Sequence, residues 1–175
     1  HLREVLSLLR KTKSILIVIG QTRDNLGFGF EPKTRSGGRA LRFYANFEMW
    51  SSVTGKIKRK VRGRDRVVGT RCLVEVKKNR VTGKIGKDRA AEIPIYYDLG
   101  IDDVGSCVDF LAREKHWPKH KGIITAREIK MEASRSEIIH YLEEHELEVQ
   151  LRRLVAKVWR QVEAECTVQR KKRYE

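Results

Sequence analysis

Ser14-Ile-Leu-Ile-Val-Ile-Gly20, followed at once by Gln21, is the stretch on which the fold turns. Its unbroken, largely β-branched apolar run fits a strand buried on both faces, the kind that parallel sheets of α/β proteins place at their centre. Upstream, Leu2, Val5, Leu6, Leu8 and Leu9 recur at helical spacing with Arg3, Glu4 and Arg10 between them, which predicts an amphipathic helix ending near Lys13. A helix feeding a buried strand predicts an α/β fold of doubly wound type, a central β-sheet flanked by helices.

Past Gln21 the periodicity dissolves. Residues 21–39 mix Gly27, Gly29, Gly37 and Gly38 with Arg23, Lys33, Arg35 and Arg39 and the aromatics Phe28 and Phe30. A non-periodic stretch of this length in a compact domain is usually a binding element. Ala40 to Ala45 then reads as a short helix, and Phe47 to Val53 as a strand ending at Thr54-Gly55. A basic arm follows, with Lys56, Lys58, Arg59, Lys60, Arg62, Arg64 and Arg66. Strands over Cys72–Val76 and Glu92–Tyr97 flank a basic turn, Lys77 to Arg89, and are expected to pair antiparallel. Asp102 or Asp103 caps a predicted helix running to about His116, with Val104, Val108, Leu111 and Ala112 on one face. Trp117 to Gly122 reads as a linker, and helices are expected over Ser136–His145 and Leu147–Cys166 before a basic tail at residues 170–174.

The 175 residues suffice for one domain with a small appended module. With 38 Lys plus Arg against 23 acidic residues, a net charge of +15, the surface carries a strongly positive field and nucleic acid is the leading partner. The run Ile15–Ile19 is far too short to span a membrane, so no membrane association is expected. Cys72, Cys107 and Cys166 have neither disulfide-framework nor zinc-site spacing, which fits a reducing, cytoplasmic compartment. The opening at His1, directly into a helical pattern, reads as the edge of a fragment, a processed product or one piece of a split protein.

Thr34-Arg-Ser-Gly-Gly-Arg-Ala-Leu-Arg-Phe-Tyr-Ala45, behind a strand ending in Gln21 and a Gly-rich basic loop, resembles the second DNA-binding loop of the RecA family of recombinases. Val76-Lys-Lys-Asn-Arg80 is similar to a further family segment, Val-Lys-Asn-Lys. Residues 1–116 follow the family's order. The resemblance therefore implies the second half of a RecA-like ATPase core over 1–116. Residues 117–175 form a small basic helical module similar in character to the ends of bacteriophage-type recombinases.

The resemblance also assigns roles. Gln21 matches a sensor of the terminal phosphate of ATP, although Gly20 stands where the family has Asn. A side-chain amide at a strand's carboxyl end can donate to a phosphate while its backbone leads into the loop. Arg23, Lys33, Thr34, Arg35, Ser36, Gly37, Gly38 and Arg39 match the single-stranded DNA-binding loop, and Asn25, Leu26, Gly27 and Phe28 fall where the family wedges between base triplets. Apolar wedging and phosphate neutralisation are indifferent to sequence, as a recombinase requires. Lys78 and Arg80 match cations that contact ATP held by a neighbouring subunit, as arginine fingers do. Arg42 and Phe43 match interface residues. The implied partners are single-stranded DNA, then duplex DNA, with self-association into a filament, and the implied cofactors of the complete protein are ATP and Mg2+.

The chain holds no G-x-x-x-x-G-K-[ST] run. Gly55, Gly83 and Gly86 precede lysines but lack the upstream glycine and the following Ser or Thr. ATP is therefore not expected to bind tightly to this chain alone. Three readings follow: part of an ATP-dependent strand-exchange protein, a non-catalytic nucleic-acid-binding module that modulates a recombinase, or a hexameric helicase, the last weakened because the Gly-Gly-Arg-Ala-Leu-Arg-Phe-Tyr run is similar to recombinases.

Overall fold

The computed structural model describes residues 2–24, 33–35, 38–86, 89–168 and 170. They fall into two compact units, residues 1–48 with 78–83, and residues 49–77 with 84–175. Among the described residues no helix is long and apolar enough to cross a membrane.

The first unit opens with α1 (Leu2–Thr12), whose hydroxyl-bearing last residue, Thr12, donates back to the Leu8 carbonyl at 2.9 Å. The run 14–20, expected as a buried strand, forms no ladder. Ile15, Ile17 and Ile19 are 80–94% exposed. Strand propensity is expressed only beside a partner that completes the backbone hydrogen bonds, and no described strand lies alongside this run. The chain then forms a short antiparallel pair, β1 (Thr22–Asp24) with β2 (Lys33–Arg35), and enters α2 (Gly38–Tyr44).

The main sheet has the order β3-β4-β5-β6: β3 (Phe47–Val61), β4 (Arg64–Asn79), β5 (Ala91–Tyr96) and β6 (Gly100–Ile101). The antiparallel pairing of β4 with β5 agrees with expectation, Cys72 opposite Ile93 and Gly69 opposite Tyr96. Strand β3 departs from it by running straight through Thr54-Gly55. The reversal comes at Arg62-Gly63, where φ values of 51° and 77° supply the left-handed pair that a two-residue hairpin requires.

Most of the core lies in the second unit. Asp102 caps α3 (Asp103–Arg113) by accepting from the Gly105 N–H at 2.7 Å. Val108 and Leu111 of this helix are fully buried with Ile124 and Ala126 of β8 (Ile123–Ala126), Ile138 and Leu142 of α4 (Arg135–Glu144), and Leu151 and Val158 of α5 (Glu148–Glu165). The segment 117–122, expected as a linker, belongs to this core. Trp117 is 1% exposed, β7 (Lys119–His120) pairs with β8, and β9 (Met131–Ser134) completes a three-stranded sheet. The Pro-Lys-His-Lys-Gly composition that suggested a linker is a tight hairpin, with Lys121 and Gly122 both at positive φ. The C-terminal region is thus helical around a small sheet.

Candidate nucleic-acid interface

Gln21 is exposed and leads by one peptide bond into β1. The register Thr22↔Arg35, Arg23↔Thr34, Asp24↔Lys33 makes β1 and β2 the stem of a hairpin. Four cationic or hydroxyl-bearing candidates, Arg23, Lys33, Thr34 and Arg35, lie on this stem, and Gly38 and Arg39 open α2. Asn25, Leu26, Gly27, Phe28, Ser36 and Gly37 lie outside the described residues.

Arg42, Phe43, Lys78 and Arg80, drawn from two distant parts of the sequence, come together at the C-terminal end of α2. Lys78 Nζ donates to the Arg42 carbonyl and, at 3.3 Å, to that of Phe43. A helix ends in unpaired carbonyls with a partial negative charge, so an ammonium there satisfies acceptors and complements the dipole. The Arg80 guanidinium stands over the Phe43 ring at 5.6 Å from its centroid, and the Arg80 N–H donates to the Asn46 carbonyl at 2.9 Å. Phe43 is 65% exposed, a surface platform rather than a core aromatic. Arg42 Nε lies 3.6 Å from Glu48 Oε2.

Asn79, between the two cations, went unassigned in the sequence. Its Oδ1 accepts from the N–H groups of Val81 and Thr82, both at 3.0 Å, and its Nδ2 donates to Thr82 Oγ1 at 2.6 Å. This side-chain turn fixes the direction in which the chain leaves β4 and so the placement of Lys78 and Arg80. The signal was present, since Asn79-Arg80-Val81-Thr82-Gly83 holds an Asn and a Gly at turn-forming spacing.

In the second unit the hairpin of β3 and β4 carries the basic arm, Lys56, Lys58, Arg59, Lys60, Arg62, Arg64 and Arg66, on a two-stranded ribbon around the Arg62-Gly63 turn. All seven of these cations are exposed, and the alternation of β3 turns Gly55 and Ile57, not the lysines beside them, toward partial burial. With Asp65 the lone acid between Lys56 and Arg66, the ribbon is a dense positive feature suited to a polyanion.

A β1–β2 pair entered from a glutamine, a cation pair at a helix end and a basic ribbon are thus carried by an α/β protein. The chain belongs to the RecA family: the model of the RecA N-terminal domain matches residues 1–102. Protein RecA of Lactiplantibacillus pentosus is 32% identical over 145 residues, covering 82% of this chain and 36% of that protein. Protein RecA of Clostridium botulinum (strain Eklund 17B / Type B) is 32% identical over 145 residues, with 82% and 39% covered. That of Caldanaerobacter subterraneus subsp. tengcongensis is 33% identical over 129 residues, with 70% and 36% covered. The chain thus spans somewhat over a third of the length of these relatives. An aligned share of 82% cannot fit within residues 1–116, so the likeness reaches into the C-terminal region, further than the sequence motifs alone suggested.

Proposed function

We propose that this chain is the DNA-engaging part of a RecA-family recombination protein that forms filaments on single-stranded DNA and exchanges strands. The observation that carries the reading is the β1–β2 pair, whose first strand follows Gln21 directly and whose second precedes α2 in the sequence. A ligand that pulls on the loop therefore pulls on a candidate phosphate sensor and on the helix that carries Arg42 and Phe43. Single-stranded DNA is held through the loop by Arg23, Lys33, Arg35 and Arg39, and the β3–β4 ribbon meets the phosphates of an incoming duplex.

ATP and Mg2+ are the cofactors of the complete protein. The donor chemistry of Lys78 and Arg80 fits a phosphate presented from outside the chain: two cations at one corner, approached from the end of α2. Lys78 is held there by carbonyl dipoles, which a fully charged phosphate oxygen would outcompete. When bound, the nucleotide supplies the phosphoryl group whose charge these cations stabilise. Self-association, with Arg42 and Phe43 at the subunit contact, brings the corner to a neighbour's nucleotide.

Binding of this chain to a fluorescent poly-dT strand across a salt series, with and without ATP and magnesium, tests the reading. Steeply salt-dependent binding that Arg35→Ala and Arg39→Ala weaken supports it. Absence of binding, or binding indifferent to both substitutions, removes the loop from the interface.

A further inference from the structure

An open hollow of about 390 Å³ lies beside the β3–β4 ribbon, and every residue that lines it belongs to the second compact unit. One wall is a single face of α4, where Ser136, Ile139, His140 and Glu143 follow one another at helical spacing. The end of β5 and the turn into β6 supply Tyr96, Asp98 and Leu99, and β3 supplies Arg59. Asp102 and Arg135 complete the lining. Arg135 is engaged by both Asp102, at 3.2 Å, and Asp109, at 2.8 and 2.9 Å. His140 pairs along its own helix with Glu144 at 3.3 Å. The charged groups left open to a ligand are Arg59, Asp98 and Glu143, all exposed and without a side-chain partner among the described residues.

These groups select a ligand by its chemistry. The hollow has the size of a small-molecule site, for which roughly 300–1,000 Å³ is usual, and Tyr96, Leu99 and Ile139 give it apolar walls suited to a planar ring. Asp98 and Glu143 repel a phosphate but accept from an amine. Arg59 belongs to the ribbon and to the hollow alike, so a phosphate held there brings its own base to the opening. We propose that the hollow receives an unpaired nucleobase bearing an exocyclic amine, from a strand whose phosphate rests on Arg59. The ring lies against the apolar walls and the amine donates to Asp98 or Glu143. Cytosine meets this requirement, whereas thymine presents a carbonyl oxygen where cytosine has the amine and is disfavoured. A base that is already single-stranded pays the least to enter. The presence of the strand on the ribbon rests on the function proposed above; the preference of the hollow for the base does not.

Deoxycytidine monophosphate and thymidine monophosphate are titrated separately into the full chain while the methyl resonances of Leu99 and Ile139 are followed by NMR, with those of Val108 and Leu111 in the core as control. The expected result is that Leu99 and Ile139 shift at several-fold lower concentration with the cytosine nucleotide, and that the core methyls stay in place. No shift at the two methyls, or an equal response to both nucleotides, overturns the proposal. Asp98→Ala combined with Glu143→Ala is expected to abolish the difference. If that variant instead binds both nucleotides more tightly in an unchanged ratio, the carboxylates only repel phosphate and the proposal fails. A poly-dT strand carrying one central cytosine separates a base on a strand from a free nucleotide. It is expected to move the same methyls at far lower concentration than the mononucleotide does, and a strand that binds without moving them overturns the strand as the source of the base. A chain that takes the cytosine nucleotide but binds no strand keeps the base preference of the hollow and removes the DNA reading of the ribbon, so the two fail separately.

Discussion

Glu128 shows how much a single carboxylate can hold together. Its Oε2 accepts from the indole N–H of buried Trp117 at 2.6 Å, and its Oε1 lies 2.6 Å from Nε2 of His116. Burial pushes its carboxyl up, but the hydrogen bonds from Trp117 and His116 outweigh that and hold it below the usual carboxylate range. Its folded pKa is thus depressed relative to the unfolded chain, so its contribution to stability is present above the ordinary carboxylate pKa and is lost as pH falls through the folded value. Glu128→Ala leaves a buried indole N–H without an acceptor and is expected to cost about 1–3 kcal/mol in urea unfolding at neutral pH. Glu128→Gln retains an acceptor for the indole and should cost less, while removing the part of the acid sensitivity that Glu128 supplies. A neutral-pH loss as large for Gln as for Ala would show that charge, not the hydrogen bond, carries the effect. At the same scale, Lys78, Arg80, Arg42 and Phe43 were all picked out from the sequence through a motif, yet their gathering at the end of α2 was not legible there, because it depends on a turn made by the side chain of Asn79.

Strand β4 has one position where the ladder itself forbids a side chain. A Cβ at Gly69 would stand 2.4 Å from the Ile95 carbonyl oxygen and 3.0 Å from the Tyr96 Cα, both backbone atoms of the paired strand. Gly69→Ala therefore has to separate β4 from β5 and is expected to cost roughly 2–4 kcal/mol, measured by denaturant unfolding. Gly55→Ala on β3 meets nothing within 4 Å and has no left-handed φ, so it should be neutral or stabilising by up to about 1 kcal/mol. Equal losses for the two would mean that strand separation is not what limits Gly69. The same contrast explains what the sequence disclosed at the level of elements. Helices α1, α3, α4 and α5 were legible because their apolar periodicity and, for α3, the Asp102 cap are local. The length of β3 was not, because Gly55 looks like a turn until a partner strand holds it extended, and the real turn at Arg62-Gly63 sits inside a charge run. Ser14–Gly20 failed for the opposite reason: its composition demands a sheet, but a strand is a property of a pair.

At the scale of the whole chain the dominant quantity is the net charge of +15. The family and the α/β class were legible because the Gly-Gly-Arg-Ala-Leu-Arg-Phe-Tyr run is dense in unusual constraints, whereas the small sheet within the C-terminal region was masked by the polar hairpin Lys119–Gly122. The ribbon and the stemmed loop lie in different compact units, so their contributions to binding are separable by substitution. Each phosphate contact adds about 0.9 to the slope of log K against log salt for duplex DNA and about 0.7 for a single strand. Replacing Lys58, Arg59, Lys60 and Arg62 together by serine is expected to lower the duplex slope by up to about 3.6 and to leave most of the poly-dT slope intact. Replacing Arg35 and Arg39 should do the reverse, costing up to about 1.4 in the single-strand slope. The four ribbon positions are all exposed, so far-ultraviolet circular dichroism should be unchanged in that variant. If the ribbon variant instead loses poly-dT and duplex binding in equal measure, the ribbon serves the same strand as the loop, and its assignment to an incoming duplex fails.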